Sequence, residues 1–243
     1  QNGIGTGDVV ALRTTLSMKT VLLFFALQLL GAKTVLTDSH ETVSAYLRNN
    51  EVGIPVKAAV TDEEKTGRWI LKQKESKAIG TAENFQEKRL LTNSKNPTVI
   101  IFTSGSTGQS KAVMLSQYNF VNNLEDTREI GGYLKDDKAL GFLPLNHVFG
   151  LALLCGALIL QHTFVIAPGI LPEQLLEAVE KYGITRMNGI PEIFMKMAKK
   201  ADQYNLCTLH AGLIGGSPST KQQFAEIEEK LGIILVPVYG MSE

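Results

Sequence analysis

The chain has 243 residues, of which 44% are hydrophobic, so it can bury one substantial core or two small ones. Lys and Arg together number 24, as do Asp and Glu, and the formal net charge of zero argues against a nucleic-acid-binding protein held by bulk charge. The cysteines, Cys155 and Cys207, lack metal-ligand spacing and are interpreted as reduced thiols, which favours a cytoplasmic protein. The apolar runs 21–30 and 151–160 are shorter than the about 20 residues that span a bilayer, so no transmembrane segment is predicted.

The N-terminal part of the chain alternates between strand and helix patterns. Ser17 is predicted to cap an apolar helix that runs to Leu30 and ends at Gly31. An order of strand, helix, strand is typical of a parallel α/β sheet. The polar, mixed-charge segment 61–97 is interpreted as a surface excursion. The predicted strands are 9–12, 34–36 and 56–60, and a second helix is predicted at 41–50.

A buried strand predicted at 99–102 breaks into a loop of unusual composition. Glycine lets backbone N–H groups approach a ligand, hydroxyls donate hydrogen bonds without adding charge, and lysine adds one mobile positive charge. The combination predicts a site for a polyanion such as a phosphate chain, and a plain polar loop is the alternative. The loop is not a Walker A loop, and residues 112–115 continue as a strand rather than a helix. The candidate phosphate-binding residues are Thr103, Ser104, Gly105, Ser106, Thr107, Gly108 and Lys111.

The rest of the chain repeats the α/β rhythm. Pro172 and Pro191 each stand at the expected first position of a helix. Ser217 is predicted to cap a further helix, with Pro218 at its first position and an end before Gly232. We therefore expect a layered α/β fold with mostly parallel sheets flanked by helices. The predicted strands are 139–143, 163–167, 185–188, 209–214 and 233–238, and Ser116 is predicted to cap a helix to about residue 129.

Three strand ends in this second half carry groups that can bind a ligand or take part in a reaction. His147 follows a predicted strand and precedes an apolar helix, a position at which α/β sheets bind ligands. Gly215 and Gly216 expose backbone at a strand-to-helix turn and leave room for a flat ring. Tyr239 follows the last predicted strand, and its ring can stack on a base. Each feature also has an ordinary structural interpretation as a helix cap, a turn or a loop.

Together these motifs resemble those of the adenylate-forming, AMP-binding superfamily, which includes acyl-CoA synthetases, aryl-CoA ligases, luciferases and nonribosomal peptide adenylation domains. Phe-Thr-Ser-Gly-Ser-Thr-Gly-x-x-Lys at 102–111 is similar to its phosphate-binding loop. Leu-Pro-Leu-x-His-x-x-Gly at 143–150 and Tyr-Gly-Met-Ser-Glu at 239–243 are similar to two later motifs, in the family's order. The chain departs from the family at Ser110 and Ala112, where proline and glycine are usual, so the stiff end of the loop is partly lost.

The resemblance implies a role for each motif. The phosphate loop would hold the β- and γ-phosphates of ATP, and Lys111 would be catalytic. His147 would lie beside the acyl pocket and position the carboxylate or the α-phosphate. The remaining assignments are Gly215, Gly216 and Ser217 against the adenine, Tyr239 stacked on it, Gly240 in the same site, Ser242 reaching a phosphate, and Glu243 holding Mg²⁺.

The resemblance also implies a reaction. A small-molecule carboxylic acid would react with ATP to give an acyl-adenylate and pyrophosphate, and the thiol of CoA would then displace AMP. Segment 146–149 has no acidic residue to pair with a substrate ammonium group, which favours a fatty or aryl acid over an amino acid. A place in fatty acid metabolism in the cytoplasm is therefore expected.

The resemblance covers only part of the family's protein. We expect residues 1–132 to form a first α/β subdomain and 133–243 a second, in a fragment of the large domain that lacks the C-terminal domain with its catalytic lysine. Such a fragment alone is expected to be weakly active or inactive. Three alternatives stay open at this point: an adenylation domain that loads a phosphopantetheine carrier, a nucleotide-binding module without catalysis, and a doubly wound domain with an unrelated ligand.

Overall fold

The computed structural model describes residues 3–38, 56–60, 95–103 and 111–243. Contacts divide the chain into two compact units, one of Gln1–Asn119 with Glu243 and the other of Phe120–Ser242. Each unit contains one five-stranded sheet. The mixed α/β class with mostly parallel sheets is therefore confirmed, whereas the subdomain boundary between residues 132 and 133 stays a prediction.

The first sheet has the strand order β3-β1-β2-β4-β5, in which only the β4–β5 pair is antiparallel. Alternate residues of neighbouring strands, among them Ala11, Val35 and Ile100, form an apolar cluster on one face. The predicted helix at 41–50 and residues 61–94 of the predicted surface excursion lie outside the described residues. The strands are β1 (Val9–Arg13), β2 (Lys33–Thr37), β3 (Ala58–Val60), β4 (Pro97–Thr103) and β5 (Lys111–Ser116).

Helix α1 (Met18–Leu29) connects β1 to β2 and is capped as predicted. The Ser17 side chain accepts a hydrogen bond from the N–H of Thr20 at 3.3 Å. This bond satisfies one of the donors that the first turn of a helix leaves free. Gly31 follows the helix with a φ of 71°, in agreement with its predicted position after the C-terminus.

The second sheet has the order β10-β9-β8-β6-β7, and all its strand pairs are parallel. A parallel sheet brings the carboxyl ends of its strands to one edge. The strands are β6 (Lys138–Gly141), β7 (Thr163–Ile166), β8 (Arg186–Met187), β9 (Ala211–Ile214) and β10 (Ile234–Pro237). The helices are α2 (Gln117–Gly131), α3 (Val148–Ile159), α4 (Pro172–Tyr182), α5 (Pro191–Ala198) and α6 (Lys221–Leu231), with a short 3₁₀ turn at Ala201–Gln203.

The predicted cap of the last helix is wrong. Helix α6 begins at Lys221 and is capped by Thr220, so Ser217 and Pro218 lie in the preceding loop. The Thr220 hydroxyl accepts from the N–H of Gln223 at 3.2 Å, and the Gln223 side chain accepts from the N–H of Thr220 at 2.9 Å. This reciprocal capping box satisfies two donors at once, whereas a cap at Ser217 would satisfy one. The turn after β9 is therefore three residues longer than predicted, which leaves Ser217 exposed.

A cluster of buried polar side chains lies at the edge where the strands of the second sheet begin. Arg186 is 2% exposed, and its guanidinium donates to the carbonyl of Gly132 at 2.9 Å and also to that of Gly131. It contacts the Asp137 carboxylate at 3.5 Å and lies 4.3 Å from the centre of the Tyr133 ring. The arginine thus satisfies the last carbonyls of α2 and attaches that helix end to β8.

Candidate functional site

The carboxyl edge of the second sheet collects three of the predicted motifs. Strand β6 leads to His147, β9 leads to Gly215 and Gly216, and β10 leads to Tyr239. Strands β9 and β10 are neighbours, and β8 alone separates β9 from β6. At about 4.8 Å per strand spacing, the ends of β9 and β6 lie roughly 10 Å apart. A ligand of nucleotide size can span that distance.

The backbone of His147 is hydrogen-bonded, whereas its imidazole is exposed and does not cap the helix. It is the N-cap residue of α3, yet its exposed side chain makes no capping hydrogen bond. Its N–H donates to the carbonyl of Pro144 at 3.3 Å, and its carbonyl accepts from Leu151 at 3.0 Å. The prediction of a histidine between a strand and an apolar helix is confirmed, while its chemical role stays a prediction.

Gly150, the last residue of the histidine motif, has a structural reason to be glycine. A Cβ atom built there would lie 2.8 Å from the carbonyl oxygen of Leu143 and closer still to that of Pro144. The first turn of α3 therefore packs directly on the backbone of the segment that precedes His147. This contact determines where the histidine stands relative to the strand end.

The glycine turn after β9 packs against the end of β10. Gly215 is buried, and a Cβ atom there would lie 2.7 Å from the carbonyl oxygen of Val238. Gly216 is exposed with a φ of 84°, a left-handed conformation that favours glycine. The turn thus presents bare backbone beside the residue that precedes Tyr239, as a flat ligand would require.

The segment after β10 offers its side chains to solvent. Tyr239 is 90% exposed, so its ring surface is available for stacking. Glu243 is exposed and Ser242 is partly buried. The described residues therefore present an aromatic ring, a hydroxyl and a carboxylate in the order that the sequence predicts. Contact of these groups with a ligand stays a prediction.

The phosphate loop joins β4 to β5, and Ser104–Ser110 lie outside the described residues. Its two ends are paired, because Thr103 and Lys111 form the last register pair of this antiparallel hairpin. The N–H of Lys111 donates to the Thr103 hydroxyl at 3.4 Å, and Lys111 itself is exposed. The hairpin base therefore fixes the backbone of Lys111 and leaves its charged side chain in solvent. Thr103 and Lys111 belong to the first unit, whereas His147 and the glycine turn belong to the second.

One residue at the carboxyl edge has no counterpart in the sequence predictions. Asn188 follows β8, is 1% exposed, and accepts a hydrogen bond from the N–H of Leu213 at 2.8 Å. An amide side chain between Met187 and Gly189, at the end of a predicted strand, is the signal that could have indicated it.

The metal prediction rests on Glu243 alone. Within the described ranges, no three His, Cys, Asp or Glu side chains come together as ligands for a metal ion. A single carboxylate fits Mg²⁺ nonetheless, because this ion is commonly bound through one or two carboxylates and the phosphates of a substrate. None of the helices formed by the described residues combines the length and the apolar character needed to cross a membrane.

Comparison with known proteins shows similarity along the whole chain. The family model described as AMP-binding enzyme matches residues 1–243. A 4-coumarate-CoA ligase of Narcissus pseudonarcissus is 27% identical over 275 aligned residues, covering 99% of this chain and 49% of the relative. A mitochondrial medium-chain acyl-CoA ligase of Danio rerio is 31% identical over 196 residues, covering 76% of this chain and 32% of the relative. The chain thus spans half or less of the length of these curated relatives.

Solved structures agree with the fold. The O-succinylbenzoate coenzyme A synthetase of Bacillus subtilis, solved in complex with AMP, superposes with a TM-score of 0.79 at 23% identity, over 99% of this chain and 62% of that one. At this identity the likeness demonstrates the fold alone.

Proposed function

Because the chain belongs to the family of AMP-binding enzymes, we propose that it is part of an acid–CoA ligase that activates a carboxylic acid with ATP and transfers the acyl group to CoA. The observation that carries the proposal is the carboxyl edge of the second sheet. There a glycine turn, the exposed ring of Tyr239 and the free imidazole of His147 follow strands of one parallel sheet.

The first half-reaction is an in-line displacement at phosphorus. A carboxylate oxygen of the acid forms a bond to the α-phosphorus of ATP, and the bond from that phosphorus to the bridging oxygen of pyrophosphate breaks. Lys111, with the hydroxyls of the phosphate loop, would bind the β- and γ-phosphates and stabilise the charge that develops on the leaving pyrophosphate. His147 would donate a hydrogen bond to the carboxylate or the α-phosphate and so align nucleophile and phosphorus.

The adenosine part of ATP would lie on the glycine turn. Gly215 and Gly216 would let the base approach the backbone, Ser217 would offer a hydroxyl at the rim, and Tyr239 would stack on the ring. Ser242, after Gly240, would reach a phosphate oxygen. Mg²⁺, held by Glu243 and phosphate oxygens, would supply positive charge beside the pyrophosphate.

In the second half-reaction the sulfur of CoA would attack the acyl carbon and release AMP. The relatives named as CoA ligases favour CoA as the acceptor over a phosphopantetheine carrier. Two features favour a fatty or aryl acid. Segment 146–149 contains no carboxylate to bind a substrate ammonium group, and α3 beside it is apolar along its whole length. Such an acid would connect the protein with fatty acid or aryl acid metabolism.

The test is ATP–pyrophosphate exchange by the natural full-length polypeptide across a panel of fatty, aryl and amino acids. We expect exchange that depends on a fatty or aryl acid and on Mg²⁺. Lys111→Ala and Glu243→Ala are expected to lower the exchange rate by about 100-fold or more, because each removes charge stabilisation from the leaving group.

Lys135→Ala and Glu229→Ala serve as matched controls, since both remove an exposed charge of the same kind away from the site. Normal exchange in all four variants would contradict the site assignment. Exchange with amino acids alone would contradict the substrate class, and transfer to a carrier but not to CoA would contradict the acceptor.

A further inference from the structure

Strands β8 and β9 pair in parallel up to the glycine turn. Arg186 pairs with Ala211, and Gly189 pairs with Ile214 three residues farther along both strands. The N–H of Gly215 donates to the carbonyl of Gly189 at 3.1 Å, where the pairing ends.

Within this pairing, the N–H of Leu213 donates to the side chain of Asn188 at 2.8 Å. The acceptor must be the amide oxygen, because a backbone N–H can only donate. The amide nitrogen of Asn188 has no hydrogen-bond partner among the described residues.

Asn188 is also followed in sequence by two residues that contact the turn which the proposed function assigns to adenine. The next residue, Gly189, accepts the hydrogen bond from Gly215. The residue after that, Ile190, has a methyl carbon that would lie 3.1 Å from a Cβ atom at Gly216. The segment 188–190 thus supports the turn through three consecutive residues, and the buried amide holds the first of them against β9.

We propose that Asn188 is a positioning residue of the nucleotide site: its amide oxygen accepts the N–H of Leu213 and so holds the end of β9 and the Gly215–Gly216 turn that follows it. The identity of the ligand rests on the proposed function, whereas the restraint on the turn does not.

The test compares Asn188→Ala with Asn188→Asp in the full-length protein. Alanine removes the acceptor and leaves the buried N–H of Leu213 unpaired, so we expect the Kd for AMP and the KM for ATP to rise about tenfold. The KM for the acid should stay unchanged, because His147 follows a different strand. Aspartate keeps an acceptor in the same place, with Arg186 two residues away on the same face of β8, and should recover most of the affinity.

Two measurements separate this inference from the proposed function. Hydrogen exchange of the peptide spanning residues 211–220, recorded without nucleotide, should be faster in Asn188→Ala and normal in Asn188→Asp. The control Thr185→Val removes a hydrogen-bonded hydroxyl at the other end of the same strand, where it donates to Asp137 at 2.8 Å, and should leave AMP binding unchanged. If Asn188→Ala does not fold, Asn188→Thr, whose hydroxyl is too short to reach Leu213, takes its place.

Unchanged exchange in the 211–220 peptide of a folded Asn188→Ala protein would overturn the inference. If the wild-type protein binds no adenine nucleotide, the proposed function fails, and the exchange measurement by itself then decides whether Asn188 restrains the turn.

Discussion

At the scale of a single residue, the side chain of His147 is expected to serve the reaction rather than the fold. Its backbone begins α3, but its imidazole is exposed and makes no capping bond. We therefore expect His147→Ala to change the free energy of unfolding by no more than about 0.5 kcal/mol, as for other surface substitutions. Acid-dependent pyrophosphate exchange should fall about 100-fold if the ring aligns the carboxylate. Urea denaturation and exchange kinetics on the same preparation give both quantities.

A large loss of stability in His147→Ala would show that the ring serves the fold. Unchanged exchange would show that the ring does not serve the reaction. His147→Asn, which keeps a hydrogen-bond donor, would distinguish alignment from proton transfer, because only alignment would survive it.

Gly150, in contrast, is expected to serve the fold directly and the reaction only through the position of His147. The carbonyl oxygens of Leu143 and Pro144 occupy the space that a side chain would need, and backbone cannot move aside as a flexible side chain can. Gly150→Ala is therefore expected to lower the free energy of unfolding by about 1–3 kcal/mol, the usual cost of overpacking. It should also lower exchange activity, because the displaced helix end carries His147. Thermal or urea unfolding measures the first effect.

Gly156 offers the matched control in the same helix. A Cβ atom there would meet only the end of the Leu124 side chain, at 3.2 Å, and that side chain can shift. Alanine also favours a helix over glycine by about 1 kcal/mol. Gly156→Ala should thus be near neutral, and equal losses in both variants would contradict the packing argument at Gly150.

At the scale of the element, the start of α6 can be tested with two neighbouring hydroxyls. Thr220 accepts from the N–H of Gln223 and closes the capping box, whereas Ser217 lies in the loop. We expect Thr220→Ala to lower the free energy of unfolding by about 1 kcal/mol, the typical value of an N-cap. Ser217→Ala should leave stability unchanged and affect only nucleotide binding. Urea unfolding of both variants would reverse this order if the cap were at Ser217.

The sequence predicted elements well wherever one local signal dominated. Ser17 before an apolar run located α1, and Pro172 with Gly183 located α4, because caps and turns act within a few residues. The start of α6 was missed because two capping signals compete there, and the reciprocal bonds of Thr220 and Gln223 decide between them. Counting the residues that make good helix caps does not reveal which of them forms these reciprocal bonds.

The contact between Asn188 and Leu213 could not be predicted from local patterns, for a different reason. It joins two strands that are far apart in sequence, and their register depends on the packing of the whole sheet. The motif residues of the carboxyl edge were predictable because each lies in the segment that follows a strand, and strand ends in a parallel sheet share an edge.

At the scale of the whole molecule, a buried histidine makes stability depend on pH. His162 is 9% exposed, and its ring stacks on that of Tyr133 with centres 5.2 Å apart. Burial lowers the pKa of His162, the Asp137 carboxylate opposes this effect, and the Arg186 guanidinium adds to it. The folded protein therefore keeps this ring neutral at pH values where the unfolded chain protonates it.

The direction of the effect follows from proton linkage. Below the unfolded pKa of about 6.5 the unfolded chain binds a proton that the folded chain does not, so stability falls as pH decreases below that value. We expect the urea midpoint to be constant from pH 8 to about 7 and to decline toward pH 5. His162→Phe keeps an aromatic ring on Tyr133 but cannot take up a proton, so its decline should be shallower. An identical slope in His162→Phe and wild type would place the acid sensitivity elsewhere, because the buried ring would then titrate alike in both states.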